Sequence, residues 1–142
     1  MLEKIKELAA SSKSDTAAFR HHLHTHPEIA WQEVETTKAV VEELKKIGCD
    51  IVKIGFGGTE CGVVADLRGG KPGKRVALRG DMDALPMNED NDLPYRSQKD
   101  GVMHACGHDA HTAMLLGAAK VLSEIRDDIP GTVRFLFQPA EE

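Results

Sequence analysis

Residues 111–137 read HTAMLLGAAKVLSEIRDDIPGTVRFLF, and a change of rhythm inside them sets the fold class. From about His111 to Ile125, the residues Met114, Leu115, Ala118, Val121, Leu122 and Ile125 recur at the spacing of one helix face. Asp109 stands where a helix N-cap belongs. Pro130-Gly131 marks a turn, and Thr132 to Phe137 is a short, largely apolar run that reads as a strand. Upstream, Arg75 to Arg79 carries Val76-Ala77-Leu78 and reads as another strand. A strand–helix–strand order predicts an α/β domain with helices packed on a mixed sheet.

The strand pattern extends backward from there. Cys49 to Ile54 is closed by Gly55, Gly57 and Gly58, and Cys61 to Leu67 by Gly69 and Gly70. The linker 68–74, RGGKPGK, predicts a tight exposed turn joining the 61–67 and 75–79 strands as a hairpin. Asp90, Asn91, Asp92 and Pro94 make most of 80–102 a loop. Before residue 49 the spacing is helical in three pieces. The first covers 2–9. The second is capped by Ser14 or Asp15, carries Phe19 and Leu23, and ends at Pro27. The third runs from Val34 to Ile47, with Val40, Val41, Leu44 and Ile47 on its apolar face and Gly48 as its C-terminal stop.

Composition narrows the function classes. A chain of 142 residues suffices for one domain with a core of its own. Its net charge of −5 and lack of a Lys/Arg block exclude nucleic acid as a partner class, and six aromatic residues offer no platform for stacking bases. The longest apolar runs fall far short of the roughly 20 residues of a membrane-spanning helix, so no membrane partner is expected. The amino terminus lacks the apolar core of a signal peptide, which predicts a cytoplasmic address. Cys49, Cys61 and Cys106 are an odd and sparse set, read as free thiols.

Chemistry concentrates in three places. The stretch 103–111, MHACGHDAH, holds three histidines, a cysteine and an aspartate. If it is extended, alternation places His104, Cys106 and His108 on one face, with His111 following His108 in the first helical turn. Asp81 and Asp83 follow one strand, and Glu141 and Glu142 follow another. Imidazole, thiolate and carboxylate are ligands for divalent transition metals, and a metal hydrolase also needs a carboxylate to take a proton from water. Each group also has a structural reading, as packed imidazoles or solvated acids. Two functional alternatives stand beside the metallohydrolase: a non-catalytic metal-binding module, and a hydrolase using Cys106 as nucleophile with His104 or His108 as base. His21, His22, His24 and His26 form a fourth cluster, with structural or surface roles predicted for most and His22 and His26 sharing a face. No GxGxxG or GKS/GKT segment occurs, so a nucleotide site is not expected.

Four ordered segments carry a resemblance: 20–28 (RHHLHTHPE), 79–86 (RGDMDALP), 104–111 (HACGHDAH) and 137–142 (FQPAEE). Together they resemble the amino-terminal part of the M20 metallopeptidase family, in its amidohydrolase branch of N-acyl-amino-acid amidohydrolases, hippurate hydrolases and auxin-conjugate hydrolases. The resemblance implies a zinc-peptidase-like catalytic domain of mixed sheet and helices. It implies two divalent metal ions (Zn, Mn, Co or Ni), with Cys106 as bridging thiolate, His108 as ligand to one metal and Glu142 as ligand to the other. Glu141 takes the place of the general base, and Asp83 that of the acid orienting a ligand. Asp81 stands where other branches carry a ligating histidine and is left as a supporting residue. The implied substrate is an N-acyl amino acid or short peptide, and the full-length parent is implied to be a dimer or tetramer. Residues 1–142 then form the front portion of the catalytic domain, without the lid or dimerisation domain and without the ligand histidines expected beyond Glu142. On that reading the 142-residue chain alone has little or no activity.

Overall fold

A computed structural model describes residues 1–142. Helices α1 (Leu2–Ser11), α2 (Lys13–Thr25) and α3 (Val34–Ile47) come first, followed by strands β1 (Asp50–Ile54), β2 (Val63–Arg68) and β3 (Lys71–Asp81). Helix α4 (His108–Ser123), a single 3₁₀ turn (Arg126–Asp128) and strand β4 (Pro130–Gln138) complete the chain. The mixed α/β class read from the sequence is the observed one.

The break between α1 and α2 is a single residue. Ser12 keeps helical dihedrals, and its hydroxyl bonds back to the Ala9 carbonyl, so α2 starts at Lys13 and neither Ser14 nor Asp15 caps it. Asp15 instead accepts a 2.6 Å bond from Lys120 on α4. Helix α2 stops at Thr25, because the residue before Pro27 is driven out of the helical region. Helix α3 ends as its sequence predicts, with Gly48 left-handed at φ 83°.

The sheet order is β1-β2-β4-β3. Strand β1 pairs antiparallel with β2, and β2 antiparallel with β4. The predicted hairpin between β2 and β3 does not form, because β4 lies between them. Burial decides the placement. Phe135 and Phe137 of β4 are wholly buried, whereas β3 carries Lys71, Lys74, Arg75 and Arg79 and is exposed through its first nine residues, as suits an edge strand. The glycine linker passes around the start of β4 instead of turning back on β2: Gly69 N–H bonds to Gly131 O and Gly70 N–H to Arg126 O, both at 2.8 Å.

Strands β3 and β4 run parallel through the α4 crossover, in a register that sets Asp81 beside Gln138. The residues after both strands therefore emerge at the same edge of the sheet, where ligand and catalytic groups of α/β domains collect. The first turn of α4 is fastened there by Thr112, whose hydroxyl donates to the Asp81 carbonyl at 2.6 Å.

The core joins Val40, Val41 and Leu44 of α3, Val63, Ala65 and Leu67 of β2, Phe135 and Phe137 of β4, and Leu115, Leu116 and Ala119 of α4. Helix α4 starts three residues earlier than its apolar spacing predicts. Its predicted face is also rotated. Met114 is exposed, Ile125 is buried but lies beyond the helix, and Thr112, Leu116 and Ala119 take inward places. The reason is that α4 has apolar neighbours on two sides, the sheet and the α1–α2 pair, so a single stripe describes it poorly.

Candidate metal centre

Three segments converge at the carboxyl ends of β3 and β4. Residues after β3 supply Asp81 and Asp83, the start of α4 supplies Cys106, His108 and His111, and residues after β4 supply Glu141 and Glu142. One ligand atom each from Cys106, His108 and Glu142 fits within a 4.8 Å group, and so does one each from Asp81, His108 and His111. The two groups share His108.

Gly107 makes this arrangement possible. Its φ of 87° is left-handed, and it turns the chain directly into α4. Residues 103–107 are consequently not an extended strand, and the predicted common face of His104, Cys106 and His108 is broken. His104 points inward. Both its ring nitrogens lack a hydrogen-bond partner, and burial lowers its pKa to about 4, so the ring is neutral. His111 takes a place near the site instead, with Nδ1 3.6 Å from Asp81 Oδ2 and its ring 5.5 Å from that of His108.

His108 has a fixed orientation. Its Nδ1 lies 3.0 Å from the Asp83 carbonyl and 3.2 Å from Asp83 Oδ1, so the Nδ1–H donates inward. Nε2 then faces the acidic groups, 3.4 Å from Asp81, 3.7 Å from Glu141 and 4.0 Å from Glu142. This is the tautomer a metal-binding imidazole uses. The other carboxylate oxygen of Asp83 accepts the Glu142 N–H at 2.9 Å. One buried side chain thus spans the histidine-bearing and glutamate-bearing segments. Arg79 donates to Gln138 Oε1 at 2.7 Å and stands 3.2 Å from Asp81 and 3.9 Å from Glu141.

Electrostatics at Cys106 separate two of the sequence readings. The hydrogen-bonded Glu142 carboxylate pushes the thiol pKa up, and desolvation, Glu141 and Asp81 push the same way. A cysteine nucleophile needs the opposite, an electropositive surrounding that favours thiolate. Carboxylates around a thiol and an imidazole instead form a mixed S, N and O donor set whose negative charge a divalent cation would offset. Cys49 and Cys61 are buried thiols, and burial lifts Cys49 to about 11, so both are chemically quiet.

Four supporting residues surround the site, and two of them, Glu89 and Glu33, had no sequence signal. Asp109, read as a cap, is wholly buried. It accepts from Arg20 at 3.0 Å and faces His24 Nδ1 at 2.8 Å. The second nitrogen of His24 faces Glu89 at 3.0 Å. Burial raises the pKa of Glu89, but bonds from Ser97 N–H, His24 and Asn91 outweigh it and leave that carboxyl below its ordinary value. This chain of contacts ties α2, the 80–102 loop and the start of α4 together. Glu33, also wholly buried, accepts the Ala140 N–H at 2.8 Å, and burial raises its pKa. Of the other clustered histidines, His21 stacks on Tyr95 at 3.8 Å, while His22 and His26 are exposed neighbours.

The profile of peptidase family M20/M25/M40 matches residues 77–142, which include all three converging segments. An N-acyl-L-amino acid amidohydrolase of Geobacillus stearothermophilus is 51% identical over 99% of this chain. The chain belongs to the M20 peptidase family. Its similarity is to the amidohydrolase-type branch. Thermostable carboxypeptidase 1 of Saccharolobus solfataricus is 46% identical over the whole chain. The Bacillus subtilis YXEP protein, described as a dinuclear metal-binding peptidase of the M20 family, superposes with a TM-score of 0.85 at 43% identity over 96% of this chain. This M20 chain spans 37%, 36% and 36% of the lengths of these three relatives. The paired donor groups around His108 are consistent with a dinuclear metal site. No helix of this M20 chain is long and apolar enough to cross a membrane.

Proposed function

We propose that the protein to which these residues belong hydrolyses the amide bond of N-acyl amino acids or short peptide-like conjugates in a metal-dependent reaction. The observation that carries this reading is the convergence of Cys106, His108 and Glu142 within 4.8 Å, with the Glu141 carboxylate 3.7 Å from His108 Nε2. Cys106, His108 and Glu142 would be the residues that hold the divalent ions, two of them, of Zn, Mn, Co or Ni. When bound, such ions polarise a carbonyl and acidify water.

The chain's own residues then have distinct tasks. Asp83 keeps the Nδ1 proton of His108 in place and fixes the backbone of Glu142. Glu141 accepts a proton from the attacking water and delivers one to the amine nitrogen as the C–N bond breaks, yielding a carboxylate and a free amino acid. Arg79 lies close enough to Glu141 to steady its charge. Residues 1–142 form the front portion of the catalytic domain in this proposal, with a lid or dimerisation domain and further ligands supplied by additional sequence. The parent is a cytoplasmic homo-oligomer, and the 142-residue chain alone turns over little or no substrate.

The test uses the full-length enzyme and N-acetyl and N-benzoyl amino acids. Chelation should abolish turnover, and added Zn, Mn or Co should restore it. Glu141→Gln should lower kcat by about 10²–10⁴-fold while metal content is retained. Turnover that survives complete metal removal, or an undiminished Glu141→Gln enzyme, would refute the proposal.

A further inference from the structure

Glu33 lies just before α3, more than a hundred residues from the segment it touches. Its backbone is held rigidly: the Glu33 carbonyl accepts the Thr37 N–H at 3.0 Å in the first turn of α3. Its side chain is wholly buried. Oε1 accepts the Ala140 N–H at 2.8 Å, and Oε2 has no hydrogen-bond partner. Besides that amide, the Glu33 N–H and the Cys61 thiol favour the carboxylate, but desolvation and the nearby Asp83 charge outweigh them, so an apolar side chain of similar size would fill the space at less cost. The placement therefore calls for a reason other than packing.

Ala140 supplies one. It is one of only two non-glycine residues with positive φ, at 49°, and it directly precedes Glu141 and Glu142. A left-handed alanine must be held by its surroundings. Pro139 is seated against Gly62, where an added Cβ would stand 2.7 Å from the proline ring. On the far side, the Glu142 N–H is held by Asp83. Between these two anchors, the bond to Glu33 fixes the residue whose dihedrals aim both glutamates.

We infer that Glu33 is a positioning residue of the metal centre: its carboxyl oxygen holds the left-handed turn at Ala140 and so aims Glu141 and Glu142 at the groups around His108. The inference rests on the proposed roles of Glu141 and Glu142. It concerns an acceptor atom at a fixed point, so a neutral amide oxygen at the same point should serve as well.

The test is made in the full-length enzyme. Glu33→Met keeps the volume and removes the acceptor. Glu33→Gln keeps an oxygen in place. Val40→Ala, wholly buried on α3, controls for general loosening. Cobalt(II) titration followed by visible absorption reads the site without turnover, and kcat/KM is measured alongside. Glu33→Met should weaken cobalt binding by about tenfold or more and lower kcat/KM by a similar factor, as removal of supporting groups around metal ligands does. Glu33→Gln should stay near wild type in both. Val40→Ala should lower Tm without changing cobalt affinity. Unchanged cobalt affinity in Glu33→Met overturns the inference. So does a Glu33→Gln enzyme as weak as Glu33→Met, or a Val40→Ala enzyme that loses as much affinity. If Glu33→Met does not fold, Glu33→Asp replaces it with the same expectation, because it keeps the carboxyl and shortens its reach. A wild-type enzyme that binds cobalt but cleaves no N-acyl amino acid defeats the hydrolase reading alone, and the cobalt series still decides the role of Glu33.

Discussion

Replacing Asp83 by asparagine tests the junction between the two ligand-bearing segments. Asp83 offers one oxygen to Glu142 N–H at 2.9 Å and the other to His108 Nδ1 at 3.2 Å. Asparagine has one acceptor and one donor end, so it can serve only one of these. With its oxygen toward Glu142, its NH₂ opposes the Nδ1–H of His108. That proton still has the Asp83 peptide carbonyl at 3.0 Å, so the imidazole keeps its tautomer but loses a charged partner. A hydrogen bond to a charged group contributes about 1.5–3 kcal/mol. At about 1.4 kcal/mol per factor of ten, metal affinity should fall roughly 10–100-fold. Asp83→Ala removes both acceptors, leaves the Glu142 N–H without a partner, and should cost about 1–3 kcal/mol more. The assay is calorimetric or cobalt titration of the full-length apoenzyme, with circular dichroism to confirm folding. Affinity within twofold of wild type for a folded Asp83→Asn protein would refute the idea that this carboxylate holds the site together.

Two further outcomes follow from buried charge. His104 titrates at about 4 in the folded chain, below its unfolded value of roughly 6.5, so the unfolded state binds more protons in that window and stability rises with pH across it. Acidification from about pH 6.5 to 4 should therefore remove roughly 3 kcal/mol through this residue, and His104→Leu should flatten that part of the urea-unfolding profile. Equal slopes for the two proteins would contradict the assignment. His24→Ala leaves Glu89 without its imidazole and Asp109 with Arg20 alone. It should destabilise by about 3 kcal/mol and expose the 80–102 loop to limited proteolysis. An unchanged Tm and cleavage pattern would show that the contact chain is not needed.

Much of the fold was legible because periodicity speaks for single elements. Val40, Val41 and Leu44 announced α3, and Gly48 its end. Sheet order was not, since the RGGKPGK turn chemistry fits a hairpin as well as it fits a chain passing around a third strand. Only the competition for burial, won by Phe135 and Phe137 over the basic β3, decides between them. At the site, the dense 103–111 cluster was conspicuous, but assigning its members required the left-handed Gly107. That glycine turns the chain into α4, whose first turn brings His111 to Asp81, while His104 on the other side of the turn lies buried. Asp109 was read only as a cap, and Glu33 and Glu89 went unread for a simpler reason. Wholly buried carboxylates are rare, and an acidic residue in a polar stretch reads as solvated.

The parallel pairing of β3 with β4 has a kinetic consequence. The donor groups come from segments near residues 81–83, 106–111 and 141–142, and no local element assembles them. They meet only after α4 has crossed over and β4 has entered the sheet, a slow class of non-local step. A metal ion would therefore find few donors together in the partly formed chain, and Cys106, His108 and Glu142 side by side once β4 is in place. Binding only the native form at a hundred times its dissociation constant adds about 2.7 kcal/mol. The centre would then act as a latch on topology, closing last and slowing the departure of β4.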